Sequence, residues 1–375
     1  MRWVPVQACR PGMRLAKKIF NEEGFVLLEE HVELNASYIQ RLLAMGVSHV
    51  YIEDELTEGI DAPNLLSEDT RRMANKTIRQ QFKLLMNDKT SRKRPVSSMM
   101  NRAFIQVLDA IIDDLSNHDE AMVMLNDIQT TDHYLFRHSL NVCVYTTLLG
   151  MHYGYEREAL KTLSMGALLH DIGKTQIDLQ ILTKPGKLTD SEFDHIKQHA
   201  ELGYRILKNE PNIPILAAHC AYQHHERLNG CGYPRGITSP DIHEYARWIG
   251  ITDSYDAMTT HRVYRQAMLP HEALEILYTG SGTLYEQSML ALFRDRIAVY
   301  PIGMSIVLSN GETGVVASIN AHCPQRPVVR ILYDSEGNRL SAPRELNLSE
   351  CLHMMIVGAD TEKIDPGRNE AYNET

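Results

Sequence analysis

Cysteine, positive charge and long apolar runs are all scarce in this 375-residue chain, and each shortage excludes something. The six cysteines (Cys9, Cys143, Cys220, Cys231, Cys323 and Cys351) form no C-x-x-C pair and no framework spacing, so a reducing, cytoplasmic setting fits better than a disulfide scaffold. Nowhere do 18 apolar residues run together, which argues against a membrane span. The first 20 residues are broken by Pro5, Arg10, Pro11 and Arg14 and lack the apolar core of a secretion signal. Lysine and arginine number 38 against 48 aspartates and glutamates, a formal net charge of -10. Such a chain does not gather nucleic-acid polymer non-specifically, so a phosphate-bearing ligand must be drawn by local cations or metal ions.

The length suits about two to three domains. Residues 1–60 read as a small α+β module: 13–19 and 25–28 flank a turn in a hairpin pattern, Asn35 caps a helix through Met45 that Gly46 ends, and 47–52 follows as a strand. Residues 61–121 hold an acidic connection and two amphipathic helices, with Ile78, Phe82 and Leu85 on one face and Met100, Phe104, Val107, Ile111 and Leu115 on another. The polar stretch 89–95 separates them, and Arg92-Lys93-Arg94 reads as a solvated loop in preference to a phosphate patch. These helices are candidate homodimer elements, weighed equally against packing within the chain. Residues 122–297 lack alternating strands and carry apolar helical runs, with Thr189 and Glu192 forming a capping box, so an all-helical core is expected. Residues 298–358 turn β-branched, with turns at Asn310-Gly311 and 335–338, and read as a small β module of three or more strands; 359–375 is a polar tail. The fold class is therefore mainly α, with small flanking modules.

Histidines and aspartates are spread through the helical part: His138, His170, Asp171, His199, His224, His225 and Asp253. Neutral imidazole and carboxylate are ligands for divalent transition metals, and Asp171 beside His170 is placed to bridge two ions. Any one histidine is more often a core or surface residue than a ligand. Adjacent pairs recurring at helix-scale intervals on apolar helices are a different matter, and they point to a two-metal hydrolase. His133, His152, His195, His219, His243, His261 and His271 lack such company and are expected to be structural or exposed. His170 and Asp171 follow an apolar helical stretch; since neighbours on a helix point about 100° apart, a helix end is expected here, with Gly173 marking it.

The runs HDIGK (170–174), KPGKLT (184–189), HHERLNGCGYP (224–234) and ITDSYDAMTTHRVYR (251–265) closely resemble the HD-GYP domains, a bacterial branch of the HD metal-dependent phosphohydrolases. The resemblance covers residues 122–297 and implies an HD-type fold that hydrolyses cyclic di-GMP to linear pGpG, with pGpG or GMP left open as the end product. It implies that His138, His170, Asp171 and Asp253 hold one metal ion and Asp171, His199, His224 and His225 the other, with iron or manganese favoured by the bridging carboxylate. It also implies that Lys174, Arg262 and Arg265 contact substrate phosphates, that Asp256 supports a ligand, and that Glu226 orients a ligand histidine. Tyr233 either stacks on a guanine, bonds a phosphate or closes a structural turn. Some relatives hold a third ion through a glutamate where this chain has Tyr134, so two ions are expected.

Two ions about 3.5–4 Å apart share a hydroxide, lower its pKa and clamp phosphate oxygens for in-line attack. Two other readings remain open: an HD phosphohydrolase acting on cyclic GMP-AMP, alarmones or nucleoside triphosphates, and a signalling module that binds a cyclic dinucleotide without cleaving it.

Overall fold

The computed structural model describes residues 1–21, 25–87, 98–117, 134–184, 186–211, 213–260 and 267–359. Its first elements are β1 (Arg2–Pro5), β2 (Ile19–Phe20), β3 (Val26–Leu28), α1 (Ala36–Ala44) and β4 (His49–Ile52). β2 and β3 pair antiparallel, and the Asn35 side chain accepts from the Tyr38 amide at 2.8 Å to start α1. The strand β1 was not foreseen. Within β1 only Trp3 and Val4 are apolar before Pro5, yet β1 pairs with β4 along its length and both of those residues are buried.

The helical part comprises α2 (Glu68–Asn87), α3 (Ser98–Ser116), α4 (Tyr134–Tyr153), α5 (Arg157–Leu169), α6 (Leu179–Leu182), α7 (Asp190–Leu207), α8 (Ile215–Gln223), α9 (Glu244–Thr259), α10 (Pro270–Thr279) and α11 (Gln287–Arg296). One apolar cluster, running from Leu65 to Val299, joins all of them except α6, which buries no residue. Ile78, Phe82, Phe104, Val107, Ile111 and Leu115 all enter it, so the apolar faces of α2 and α3 are spent within the chain. Helix α4 is buried almost continuously from Phe136 to Gly150 and lies against α5 and α9, at the centre of the bundle. No helix among the described residues is long and apolar enough to cross a membrane. The basic run 92–94 and the tail from 360 onward lie outside the described residues.

The chain then forms an antiparallel sheet of β5 (Ser305–Leu308), β6 (Thr313–Ser318), β7 (Val328–Tyr333), β8 (Arg339–Asn347) and β9 (Ile356–Gly358), in the order β8-β7-β6-β5-β9. This sheet and the first module share a core. Trp3 and Tyr51 pack with Met304, Ile306, Val316, Val329 and Ile331, and the Trp3 amide donates to the Gly303 carbonyl at 2.8 Å. On its other side the first module meets the helical part, where Trp3, Ser48 and His49 face Tyr145, Tyr255 and Asp256 across a cavity of about 50 Å³.

Candidate metal centre

Seven side chains from five places in the helical part meet in the interior. His138 comes from α4, His170 and Asp171 from the end of α5, His199 from α7, His224 and His225 from the end of α8, and Asp253 from α9. The adjacent pairs can face one cavity because their helices stop beneath them. α5 ends at Leu169, His170 keeps helical angles, and Asp171 moves to φ -98°, ψ 7°, the sparsely populated bridge region. His224 is likewise the residue that caps α8. Gly173 serves a purpose other than the helix stop expected for it: a Cβ there would lie 2.0 Å from the His199 carbonyl oxygen and 2.5 Å from the Gly203 nitrogen. Its lack of a side chain lets the segment after Asp171 rest directly on the backbone of α7.

Asp171 lies between two sets of imidazoles. Its Oδ2 is 3.4 Å from His170 Nε2 and 3.5 Å from His138 Nε2, while its Oδ1 is 3.3 Å from His199 Nε2 and 3.8 Å from His224 Nε2. Asp253 reaches both sets as well, with Oδ1 3.0 Å from His138 Nε2 and Oδ2 3.7 Å from His225 Nδ1. Two groups could each hold a metal ion: Asp171, His199, His224 and His225, and His138, His170 and Asp171.

The hydrogen bonds behind the rings say what the facing atoms are. His170 Nδ1 is 2.7 Å from the Ala167 carbonyl, His199 Nδ1 2.7 Å from the Ile196 carbonyl, and His224 Nδ1 3.0 Å from the Ala221 carbonyl. A carbonyl only accepts, so each Nδ1 carries a proton, and in the neutral form of each ring Nε2 then presents a lone pair to the cavity; this tautomer follows from the network. Yet His199 and His224 bring Nε2 to Nε2 at 3.3 Å, around an Asp171 Oδ1 that is fully buried and finds no hydrogen-bond partner among the described residues. Acceptors crowded in a dry interior are unfavourable unless a cation lies among them. The donor set therefore fits divalent metal.

Burial holds His199 down to about 4, and His224 and His225 well below the usual imidazole range, so all three rings are neutral at pH 7. Burial pushes the Asp171 carboxyl up, but the Lys174 ammonium and the His170 ring outweigh it and keep the group ionised. Burial pushes the Asp253 carboxyl up as well, and His138, His225 and His170 outweigh it in turn. His138 differs from the others. Burial opposes its charge, but hydrogen bonds to Asp253 and Asp256 raise it to about 9.

Asp256 Oδ2 receives His138 Nδ1 at 2.7 Å, and its Oδ1 accepts from the Asn141 amide at 2.7 Å. Asn141 was missed by the sequence reading, although it falls one turn beyond His138 on an apolar helix, where a polar residue invites a question. Glu226 corrects an expectation. Its two oxygens accept from the backbone amides of Arg235 and Ile237 at 2.8 and 3.1 Å, so it clamps the loop after Pro234 and orients no histidine. Within that loop, a Cβ on Gly232 would lie 2.4 Å from the His225 carbonyl oxygen, so the glycine presses the loop onto the histidine pair. Tyr233, held by its amide to the His225 carbonyl at 3.2 Å, stacks on the His225 ring at 4.5 Å and 27°. Lys174 donates to Asp171 Oδ2 at 2.5 Å. Arg262 and Arg265 lie outside the described residues, as do His133 and His261. Of the histidines given no ligand role, His243 accepts from the Tyr245 amide as the cap of α9, and His271 stacks on Tyr300.

A helical domain that gathers buried histidines and aspartates around a cavity fit for metal defines a class, the metal-binding helical hydrolases. Residues 113–289 match the family described as HD domain, and residues 305–365 match the one described as KOW domain associated with HD domain. Residues 113–289 therefore carry an HD domain, and the chain is an enzyme of the hydrolase class. It is 26% identical to a cyclic di-GMP phosphodiesterase of Pseudomonas aeruginosa, over 92% of this chain and 88% of that protein. It is 35% identical to the cyclic di-GMP phosphodiesterase response regulator RpfG of Xanthomonas campestris pv. campestris, over 43% of each chain. A 3'3'-cGAMP-specific phosphodiesterase 1 of Vibrio cholerae is 36% identical over 49% of this chain and 43% of its own. The chain thus spans most of the Pseudomonas protein but under half of the other two.

Proposed function

We propose that this chain hydrolyses a phosphodiester bond of cyclic di-GMP, giving linear pGpG and then GMP. The observation that carries the reading is the crowding of imidazole lone pairs around the buried Asp171 Oδ1, which has no hydrogen-bond partner among the described residues. The similarity to the Pseudomonas phosphodiesterase along nearly the whole chain supports the choice of substrate. In this reading His138, His170, Asp171 and Asp253 hold one ion, and Asp171, His199, His224 and His225 hold a second, with Asp171 shared. Iron or manganese suits the mixed nitrogen and carboxylate donors. Bound there, two such ions supply the Lewis acidity that activates water and polarises the phosphate for in-line displacement.

The chain's own residues do the rest. Backbone carbonyls behind His170, His199 and His224 fix each ring in the tautomer that presents Nε2. Asp256 does the same for His138 through a carboxylate, which raises that ring's basicity. Lys174 balances the charge of Asp171, and once a cation takes over that task its ammonium is free to meet a substrate phosphate. Arg262 and Arg265 are assigned to the second phosphate, and Tyr233 to the substrate side of His225.

The test is turnover by metal-loaded protein of cyclic di-GMP, 3'3'-cGAMP, cyclic di-AMP and GTP, with products identified. Cyclic di-GMP is expected to give the highest kcat/KM, and comparable turnover of GTP would overturn the reading. A second reading, 3'3'-cGAMP as the preferred substrate, is favoured by the Vibrio relative, which is 36% identical over 49% of this chain. The same assay decides between them.

A further inference from the structure

The Tyr233 ring that covers His225 is itself continued outward. Phe193 stands 6.4 Å from Tyr233 at 80°, forming a corner of two aromatic planes, and it is 44% exposed. The Lys197 ammonium lies 4.7 Å over Phe193 and 6.0 Å from the Tyr233 ring, and pairs with the Asp194 carboxylate at 2.8 Å. Phe193 and Lys197 are four residues apart and share one face of α7, the helix that carries His199. A lone exposed phenylalanine needs no explanation. This one ends an unbroken row of rings, His225 to Tyr233 to Phe193, and a cation with an attached acceptor closes the row.

We infer that Phe193, Lys197 and Asp194 form a guanine-recognition platform beside the metal centre. The inference rests on the cyclic-dinucleotide reading and adds to it the residues that choose the base. A phosphate at His199 and His225 leaves its nucleoside next to Tyr233, and the base then meets the corner that Tyr233 makes with Phe193. Purines stack on aromatic rings whatever their identity, at about 1–3 kcal/mol per base. Discrimination comes from the edge. Guanine offers the acceptors O6 and N7 where adenine offers a donor beside N7. An ammonium favours the first and is repelled by the amino group of the second, while a carboxylate can accept from the guanine N1 and N2 hydrogens. The Lys197–Asp194 pair is exposed, so opening it costs little.

The experiment compares kcat and KM of metal-loaded wild type, Phe193→Ala, Phe193→Trp and Lys197→Gln on cyclic di-GMP, cyclic di-AMP and the base-free diester bis(p-nitrophenyl) phosphate. Phe25→Ala, on the β2–β3 hairpin, serves as the unaffected control. Phe193→Ala is expected to raise KM for cyclic di-GMP about 10-fold, the size of one lost stacking contact. This loss should exceed any loss on the base-free diester, and Phe193→Trp should restore it. Lys197→Gln is expected to cut the preference for cyclic di-GMP over cyclic di-AMP about 5-fold or more. Wild-type KM and wild-type preference in both Phe193→Ala and Lys197→Gln would overturn the platform while the enzyme stays a cyclic-dinucleotide hydrolase. Wild type that cleaves the base-free diester and no cyclic dinucleotide would overturn the functional reading and the platform together, a pattern distinct from the first.

Discussion

The helical part and the strand part of this molecule are filled with different material. Between α4 and α9 the interior holds His138, Asn141, His170, Asp171, His199, His224, Glu226, Asp253 and Asp256, all buried. Within residues 1–60 the interior is Val4, Leu15 and Val50, where they meet the sheet of β5–β9 it is Trp3, Met304, Ile306, Val316, Val329 and Ile331, and Thr57 and Ser305 are the buried polar side chains there among the described residues. Apolar burial stabilises, at about 25 cal/mol per Å². Buried acceptors and carboxylates cost free energy unless something pairs with them. The apolar interiors of both parts therefore contribute stability, and the polar centre of the helical part spends some of it on a site suited to a ligand.

The largest test of that contrast is His170→Ala. Loss of bound metal and a fall in kcat of about 10³-fold or more are expected, with the fold retained in circular dichroism. Normal metal content with normal turnover would erase the distinction. The reciprocal change, Ile331→Ala, is expected to cost about 3 kcal/mol in urea unfolding and to leave the kcat of the folded fraction unaltered. A subtler change within the site is Asp256→Asn, which keeps the shape behind His138 but removes the charge. Competition with a chelator should reveal metal affinity about 10–100-fold weaker.

The strand part carries its own titratable exception. His49 stacks on Trp3 at 3.7 Å and 8°, and burial lowers it to about 4. In the unfolded chain it titrates near about 6.5, so between those two values the unfolded state binds more protons and stability rises with pH. Urea midpoints should therefore fall as pH drops from about 6.5 to about 4, by up to about 2 kcal/mol for this partly covered ring, and His49→Gln should flatten the slope. The smallest effect expected is that of Thr189→Ala. Its hydroxyl accepts from the Glu192 amide while the Glu192 carboxylate accepts from the Thr189 amide, and losing that box should cost about 1 kcal/mol, read as fraying of α7 by hydrogen exchange.

Much of this was legible in the sequence, and what was not has physical reasons. Helical periodicity exposed the long helices because a buried face repeats every three to four residues, and adjacent histidines and acids flagged the centre because five of the seven candidates lie in three short motifs, with His138 and His199 outside them on α4 and α7. Contacts at long range left weaker marks. Glu226 serves backbone amides 9 and 11 residues away, and nothing local distinguishes that from service to a histidine. Asn141 and Asp256 are 115 residues apart. The strands β8 and β9 escaped notice because β8 is an exposed, charged edge, burying little from Arg339 to Glu345, and β9 is three residues long. The turn of α11, with Arg294, Asp295 and Arg296 at its end, masked the buried Met289, Leu290 and Phe293.

Gly173 has a consequence for how the site could change. The distance from Asp171 to His199 is gauged by main chain resting on main chain, a contact stiffer than any packing of flexible side chains. Adding a single methyl would act as a shim, prising apart the two segments whose ligands must converge, with no rotamer available to relieve it. The spacing between Asp171 and His199 is calibrated by an atom that is not there, and random drift at this position can only widen the gap.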